Sequence, residues 1–206
     1  MARPRGRRDE AYETRRDELL DRLEARLISP DGHLAGLRAL AESVGVSYPT
    51  LRHYFGSRAG ILEAFFARRA KEGASHVDQM SRAELPFAAS IAEAANTIAG
   101  ATRITQFRSL HDIGLREGLL QNEAGTLYLD SIFEPTLQAI EKRLEAHMLR
   151  GEMRPTNARF AALSLLSPII LGSLHQHSLA GAALRPLDLD AFASQLAERF
   201  IAAYAV

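Results

Sequence analysis

Five side chains that can hydrogen bond, carry positive charge or stack lie in one short stretch of the sequence. They are Tyr48, Thr50, Arg52, His53 and Tyr54. If a helix begins at Ser47, these residues lie on its outer face, while Leu51 and Phe55 face the opposite side. A helix laid in the major groove of DNA requires this mixture, because base edges and phosphates are recognised by hydrogen bonds and charge. A helical hairpin whose polar face is only solvated is the alternative.

Two short helices joined by a tight turn would position that face. Apolar residues recur at helical intervals from Leu37 to Val44, and Gly45 can adopt the positive φ that ends the first helix. Ser47 is predicted to cap the second helix. Pro49 falls in the first turn of that helix, where the missing N–H would have had no helical partner. The spacing therefore predicts a helix-turn-helix unit.

Seven residues of this unit and of the next predicted helix stand at the positions of a known motif. They are Ala41, Gly45, Val46, Ser47, Tyr54, Phe55 and Ser57. Through them, residues 37–66 resemble the DNA-binding motif of the tetracycline-repressor (TetR) family of bacterial regulators. The sequence departs from the family pattern at Arg52, where a phosphate-binding Tyr is usual, and at Arg58, where Lys is usual. The Ser or Thr that usually precedes the first helix is also replaced, around Ala35 and Gly36, so that cap is poorer.

The resemblance implies that the unit binds double-stranded DNA through its second helix. The side chains expected at base edges are Tyr48, Thr50 and His53, those expected on phosphates are Arg52, Tyr54 and Arg58, and Ser47 and Pro49 complete the predicted DNA-binding set. Two such helices, related by the two-fold axis of a homodimer, would bind a near-palindromic operator.

Basic residues are concentrated toward the amino end, although the formal net charge of the chain is zero. The first 70 residues carry 13 arginines and 10 acidic residues, and the remaining 136 carry 12 basic and 15 acidic residues. Arg3, Arg5, Arg7 and Arg8 form an arm that could follow the DNA backbone or enter the minor groove. A disordered solubilising tail is the alternative for this arm.

The composition excludes several classes of protein and site. The 206 residues include no cysteine, which excludes disulfides, thiolate metal sites and a cysteine nucleophile, and which fits a reducing cytoplasm. No secretion signal is recognised. The longest apolar stretch, residues 160–174, is interrupted by serines and a proline and is too short to span a membrane. Because catalytic motifs, metal-ligand spacings and cofactor loops are missing, we expect no enzyme activity, no metal and no cofactor.

Helical periodicity continues through the rest of the chain, without a strand pattern. Helices are predicted over residues 9–28, 57–77, 87–101, 104–120, 123–150, 156–177 and 187–204. Pro135 is expected to kink the fifth of these. The predicted fold class is all-α. Residues 1–56 would form the arm and a three-helix DNA-binding domain, and residues 57–206 a helical bundle for effector binding and dimerisation.

The helix predicted over residues 156–177 is apolar on nearly every side. Such a helix must be covered all round, and we expect a partner subunit on the side that its own chain leaves open. The predicted dimer-interface residues are Leu163, Leu166, Ile170, Leu174, Leu196 and Phe200. A helix covered entirely within one chain is the alternative.

A few polar or aromatic residues interrupt otherwise apolar helices and are candidates for lining a ligand pocket. They are Asn96, Phe107, His111, Tyr128 and His175. Because their surroundings are mostly apolar, the expected effector is a small, largely apolar molecule held by one or two hydrogen bonds. Each of these residues is also compatible with a satisfied polar group of the core or of the interface.

The residues and the resemblance together predict a cytoplasmic, ligand-responsive repressor. In the family, a small molecule inside the helical body tilts a long helix, which here would begin at Ser57, and so changes the separation of the two recognition helices. A DNA-binding structural or adaptor protein of the same fold, without an inducer, is the alternative from another class. An enzyme that uses the helical pocket is a more distant one.

Overall fold

The structure, a computed structural model, describes residues 5–29, 31–120 and 122–206, with side chains for residues 10–29, 31–120 and 125–206. Within these ranges every regular element is a helix, and the only extended pairing is an isolated bridge between Met153 and Ala205. The predicted all-α class is confirmed.

Eleven α-helices follow one another along the described chain. They are α1 Arg5–Ile28, α2 Leu37–Ser43, α3 Tyr48–Phe55, α4 Arg58–Met80, α5 Phe87–Ala101, α6 Thr105–Leu120, α7 Asn122–Tyr128, α8 Glu134–Leu149, α9 Ala158–His177, α10 Gly181–Leu184 and α11 Leu189–Tyr204. A short 3₁₀ turn, Gly32–Leu34, precedes α2. The predicted helices are present with ends shifted by a few residues, and the short α10 lies where a loop was predicted.

The helix predicted over residues 123–150 is helical without interruption from α7 to α8, and its regularity changes next to Pro135. Pro135 lies in the first turn of α8, and the π-helical segment Leu129–Phe133 joins α7 to it. Proline has no N–H to donate to the preceding turn, so the α-helical ladder is interrupted at this point. The predicted helix therefore contains a π-helical segment just before the proline.

Packing divides the described chain into two compact units. Unit 1 comprises Met1–Arg69 and Ile113–Tyr128, and unit 2 comprises Ala70–Asp112 and Leu129–Val206. Both α4 and α6 contribute residues to each unit. The predicted functional boundary at residue 56 stays a prediction, and it does not coincide with this division by packing.

Unit 1 is built around the helix-turn-helix. The residues that are almost completely buried in it come from α1 to α4 and include Leu19, Leu20, Leu23, Leu27, Leu40, Leu51, Ile61, Leu62, Phe65 and Phe66. The carboxyl half of α6 crosses α7 closely because both helices carry glycine at the contact. A Cβ added to Gly118 would lie 2.9 Å from the Cα of Gly125.

Unit 2 is a bundle of α5, α8, α9 and α11 around an apolar core that is rich in alanine, isoleucine and leucine. The amino end of α9 is capped by Asn157, whose Oδ1 accepts a hydrogen bond from the Phe160 N–H at 3.0 Å. Within the described residues, α9 is the one helix long and apolar enough to cross a membrane, and 39% of its apolar window is buried in the structure. Length and composition of a single helix are weak evidence for a membrane span, because core helices pass the same test.

Candidate nucleic-acid interface

The turn between α2 and α3 has the local geometry that the sequence predicts. Gly45 adopts a φ of 65°, and the Val46 N–H donates to the Ala41 carbonyl at 3.0 Å. Ser47 caps α3, since its Oγ accepts from the Thr50 N–H at 3.2 Å. These contacts close the turn and fix the direction in which α3 leaves it.

The two faces of α3 differ as predicted. Leu51 and Phe55 are 0% and 7% exposed, so they hold the helix on the core of unit 1. The predicted DNA-binding residues of α3 and its cap lie on the other side: Ser47, Pro49, Arg52 and His53 are exposed, and Tyr48, Thr50 and Tyr54 are half-buried. The structure therefore brings seven of the eight predicted residues onto one polar, partly aromatic face.

Two aromatic contacts that the sequence did not indicate support this face from neighbouring helices. Tyr12 of α1 stacks on Tyr54, with ring centroids 4.8 Å apart and planes inclined by 26°. The Arg38 guanidinium of α2 lies over the Tyr48 ring, 5.5 Å from its centroid. The sequence indicates neither contact. Tyr12 belongs to α1 and Arg38 to α2, and only the folded structure shows that they pack against α3.

Arg58, the eighth predicted DNA-binding residue, has protein partners in place of a phosphate. Its guanidinium forms two hydrogen bonds to the Glu117 carboxylate, of 2.7 and 2.8 Å, and donates to the carbonyls of Gly32 and Ala35 at 3.0 Å each. The Arg58 side chain is 14% exposed and that of Glu117 is 2% exposed. A guanidinium engaged in this way on two sides ties the segment before α2, the start of α4 and α6 together within unit 1.

A second arginine of α6 strengthens the same connection. Arg116 donates to the Leu27 carbonyl at 2.8 Å, near the carboxyl end of α1. A positive charge is favourable there because the last carbonyls of a helix lack helical partners. Two adjacent residues of α6 therefore make these connections. Arg116 binds α1 directly, and Glu117 binds Arg58, which in turn binds the segment before α2.

The predicted arginine arm falls partly outside the described residues. Arg3 lies outside them altogether. Arg5, Arg7 and Arg8 are part of α1, but their side chains are outside the described set. The predicted contact of this arm with DNA stays a prediction.

Two of the five predicted ligand-binding residues lie together. Phe107 and His111 of α6 are one turn apart in unit 2, with ring centroids 4.5 Å apart in an edge-to-face arrangement. His111 is 7% exposed, and burial lowers the pKa of its imidazole to about 4. The neutral ring is therefore the stable form at neutral pH, able both to donate and to accept a hydrogen bond.

The other three predicted ligand-binding residues lie in different surroundings. Tyr128 belongs to unit 1, where it is 3% exposed, packs 5.9 Å from Phe66 between ring centroids, and has its phenol pKa raised by burial. Asn96 and His175 are exposed on α5 and α9. Their contact with a ligand stays a prediction.

A cavity with a partly charged wall lies elsewhere in unit 2. It measures about 400 Å³ and includes Gln79, Ser90, Glu93 and Arg143 in its wall. The buried Arg143 donates to the carbonyls of Gln79, Met80 and Ser90 at 2.7 to 2.9 Å and to the Glu93 carboxylate at 2.7 Å. The arginine thus terminates α4 and binds it to α5, which is a structural role.

The predicted dimer-interface residues divide into two groups. Leu166, Ile170 and Phe200 are buried in the core of unit 2, with 2%, 6% and 5% exposure. Leu163, Leu174 and Leu196 are only partly buried against that core. Two apolar residues of α9 outside the predicted set are far more exposed, Phe160 at 69% and Leu171 at 63%. Among the described residues, no group of three or more His, Cys, Asp or Glu side chains could hold a metal ion.

Several solved structures share the fold of this chain. A regulator from Mesorhizobium loti assigned to the TetR family has a TM-score of 0.72 at 15% identity, over 95% of this chain and 98% of that one. SmeT, the repressor of the Stenotrophomonas maltophilia efflux pump SmeDEF, has a TM-score of 0.67 at 18% identity, over 93% and 90%. SmeT is also known in a complex with triclosan.

A third similar structure is the flavonoid-responsive regulator FrrA, with a TM-score of 0.67 at 18% identity, over 93% of this chain and 98% of that one. The sequence matches no family model and no curated protein. At these identities the likeness is one of fold, and the chain has the all-α fold of TetR-family transcriptional regulators, with a helix-turn-helix followed by a helical bundle.

Proposed function

We propose that this protein is a DNA-binding transcriptional regulator of the bacterial cytoplasm. The observation that carries the proposal is α3, a helix held on the core by Leu51 and Phe55, which together with its cap Ser47 presents six polar or aromatic residues on its open face. The solved structures that share the fold are regulators of transcription, which supports this use of the helix-turn-helix. A major groove admits a helix of this kind, and its exposed side chains then reach base edges and phosphates.

Within this set the side chains have separate roles. His53, Thr50 and Tyr48 are proposed to contact base edges, and Arg52 and Tyr54 to contact phosphates. Arg58 is left out, because its guanidinium already binds Glu117 and two carbonyls.

Fluorescence anisotropy against an operator selected from random DNA tests these roles. Arg52→Ala should weaken binding to all sequences and reduce the salt dependence by roughly one ion per lost contact. His53→Ala should keep the salt dependence and lose discrimination at one operator position, at a cost of about 1 to 3 kcal/mol. Glu42→Ala, an exposed change on α2, is the matched control. If the unmodified protein bound every DNA with the same affinity, the proposal of a sequence-specific regulator would be abandoned.

We further propose that the protein acts as a homodimer on a near-palindromic operator. One face of α9 supports this, because Phe160, Ser164, Ser167, Leu171 and Leu174 recur at spacings of four and three residues, and each is exposed or half-buried. This is the spacing of a helix–helix seam, and small serines in its middle allow two helices to approach closely. Leu196 of α11, also in the predicted set, is only partly buried against the core of unit 2.

Light scattering at micromolar concentration tests the dimer. Leu171→Glu should yield a monomer, since a charge in an apolar seam would be buried without a partner. Leu119→Glu changes a residue of α6 that is 87% exposed and should leave the mass unchanged. A monomeric unmodified protein would refute the proposal of a dimer.

A small, largely apolar effector is the third part of the proposal. The contact between half-buried Phe107 and buried His111 supports it, because an aromatic wall beside one neutral imidazole suits an apolar ligand with a single hydrogen bond. Two proteins of this fold provide further support for such an effector, since SmeT is known in a complex with triclosan and FrrA is flavonoid-responsive.

A thermal-shift screen with aromatic small molecules, repeated with operator bound and on His111→Ala, tests the effector. A true effector should bind less tightly when operator is present, because coupling between two sites is reciprocal. Hits that bind equally well with and without operator would favour the alternative, a DNA-binding structural or adaptor protein without an inducer.

A further inference from the structure

The amino-terminal half of α1 lies against the carboxyl end of α3. Leu19 and Leu20 of α1 are 0% and 1% exposed, so the helix is fixed to the core of unit 1. One and two turns earlier, Arg16 and Tyr12 reach α3. The Arg16 guanidinium lies 5.3 Å from the Phe55 ring centroid, and Tyr12 meets the two residues before Phe55.

Three aromatic rings form a closed cluster at this junction. Tyr12 stacks on Tyr54 at 4.8 Å between centroids. His53 stands edge-on to both, 5.7 Å from Tyr12 at an interplanar angle of 90° and 5.3 Å from Tyr54 at 73°. Edge-to-face and offset-stacked arrangements at these distances are the favoured geometries of aromatic pairs.

The cluster restrains a side chain that would otherwise be free. His53 is exposed at the end of a short helix, where a lone imidazole would exchange between rotamers and would lose that freedom on binding. Two rings packed against it select one orientation before DNA arrives. Affinity and discrimination gain when a contact is ordered in advance, because the entropic cost of ordering is not incurred on binding.

We propose that Tyr12 is a positioning residue for DNA recognition, which acts by holding His53 and Tyr54 in the orientation that α3 uses on the operator. This rests on the proposed function of α3 and extends it to a helix outside the helix-turn-helix. Tyr12 acts through its ring and not through its hydroxyl. The specificity of the protein at one operator position then depends on a residue that does not read that position itself.

The first measurement needs no DNA. In ¹H–¹³C NMR spectra of the full chain, the His53 ring protons carry ring-current shifts from Tyr12 and Tyr54. Tyr12→Ala should move these signals and broaden them, whereas Tyr12→Phe and the neighbouring exposed change Glu13→Ala should leave them near their original positions. Unchanged His53 signals in Tyr12→Ala would overturn the proposal, whatever the protein does on DNA.

The second measurement compares operator variants at the position read by His53. Tyr12→Ala should reduce discrimination there by roughly two- to tenfold, the factor that one aromatic pair is worth, and keep the salt dependence. Tyr12→Phe should discriminate as the unmodified protein does. If Tyr12→Phe is as impaired as Tyr12→Ala, the hydroxyl contacts DNA directly and the positioning role is refuted. If the unmodified protein shows no sequence preference while the NMR result holds, the proposed function fails and the aromatic cluster remains.

Discussion

Substitutions of Arg58 and Glu117 distinguish a structural role of Arg58 from a DNA-binding role. The Glu117 carboxylate is 2% exposed and the Arg58 side chain 14% exposed, and two hydrogen bonds of 2.7 and 2.8 Å join them. Removing one member of a buried pair leaves the other charge without compensation, which costs roughly 3 to 5 kcal/mol. We expect Arg58→Met to fall at the upper end of this range, at about 5 kcal/mol, because Glu117 has almost no access to water.

Glu117→Leu should cost less, about 3 kcal/mol, because Arg58 keeps its bonds to two carbonyls and some solvent access. The double variant, which combines Arg58→Met with Glu117→Leu, should cost less than the sum of the two single changes, because no buried charge remains. Such non-additivity is the mark of a direct interaction.

Tyrosine fluorescence in a denaturant titration gives these free energies for the relevant part of the chain. The chain has no tryptophan, and four of its five tyrosines, Tyr12, Tyr48, Tyr54 and Tyr128, belong to unit 1. The signal therefore follows unit 1, where both partners lie. Circular dichroism at the helix band follows the helices of both units and shows whether they unfold together.

The exposed Arg52 is the matched control. Arg52→Ala should change the free energy of unfolding by no more than about 0.5 kcal/mol and yet lower the salt dependence of DNA binding. Arg58→Met should lower the free energy of unfolding by several kcal/mol and leave the salt dependence of DNA binding unchanged. If Arg58→Met cost less than about 1 kcal/mol of stability and flattened the salt dependence as Arg52→Ala does, Arg58 would be a phosphate contact and the structural assignment would be refuted.

Two further predictions concern buried positions. Because burial lowers the pKa of His111 from 6.5 to about 4, the unfolded chain binds more protons between these values, so stability should fall by up to about 3 kcal/mol as the pH drops through that window. Thermal unfolding across that pH window should show a weaker dependence in His111→Phe. Gly114→Ala places a Cβ directly against the Tyr128 ring and should destabilise unit 1 by about 1 to 3 kcal/mol in the tyrosine-fluorescence titration. Gly73→Ala, in open space on the part of α4 that belongs to unit 2, should stabilise by up to about 1 kcal/mol in a denaturant titration followed by circular dichroism.

The elements of the interface that depend on local chemistry could be predicted from the sequence. Ser47, Pro49 and Gly45 determine where α3 starts through contacts between residues close together in the chain, and the structure confirms each of them. The inward face of α3 follows from the spacing of two apolar residues in the same way. Local capping and periodicity are properties of the sequence itself.

The partners of Arg58 could not be predicted in this way. A cation next to a recognition helix is compatible with a phosphate or with a carboxylate, and the carboxylate that it binds is 59 residues further along the chain. The stacking of Tyr12 on Tyr54 has the same origin, because it depends on how α1 lies across α3 after folding. Both contacts are tertiary, and no periodicity within one helix indicates them.

The apolar residues around α9 predict that the helix is covered, but they do not predict which chain covers it. The pattern is the same whichever chain supplies the cover. Leu166 and Ile170 prove to be covered within unit 2, whereas Phe160 and Leu171 are exposed. A charged substitution at Ile170 would therefore unfold the bundle and would not test dimerisation. Leu171→Glu tests dimerisation without unfolding the bundle. The Leu171 side chain is 63% exposed in the single chain, and a second copy that lies against it would bury it.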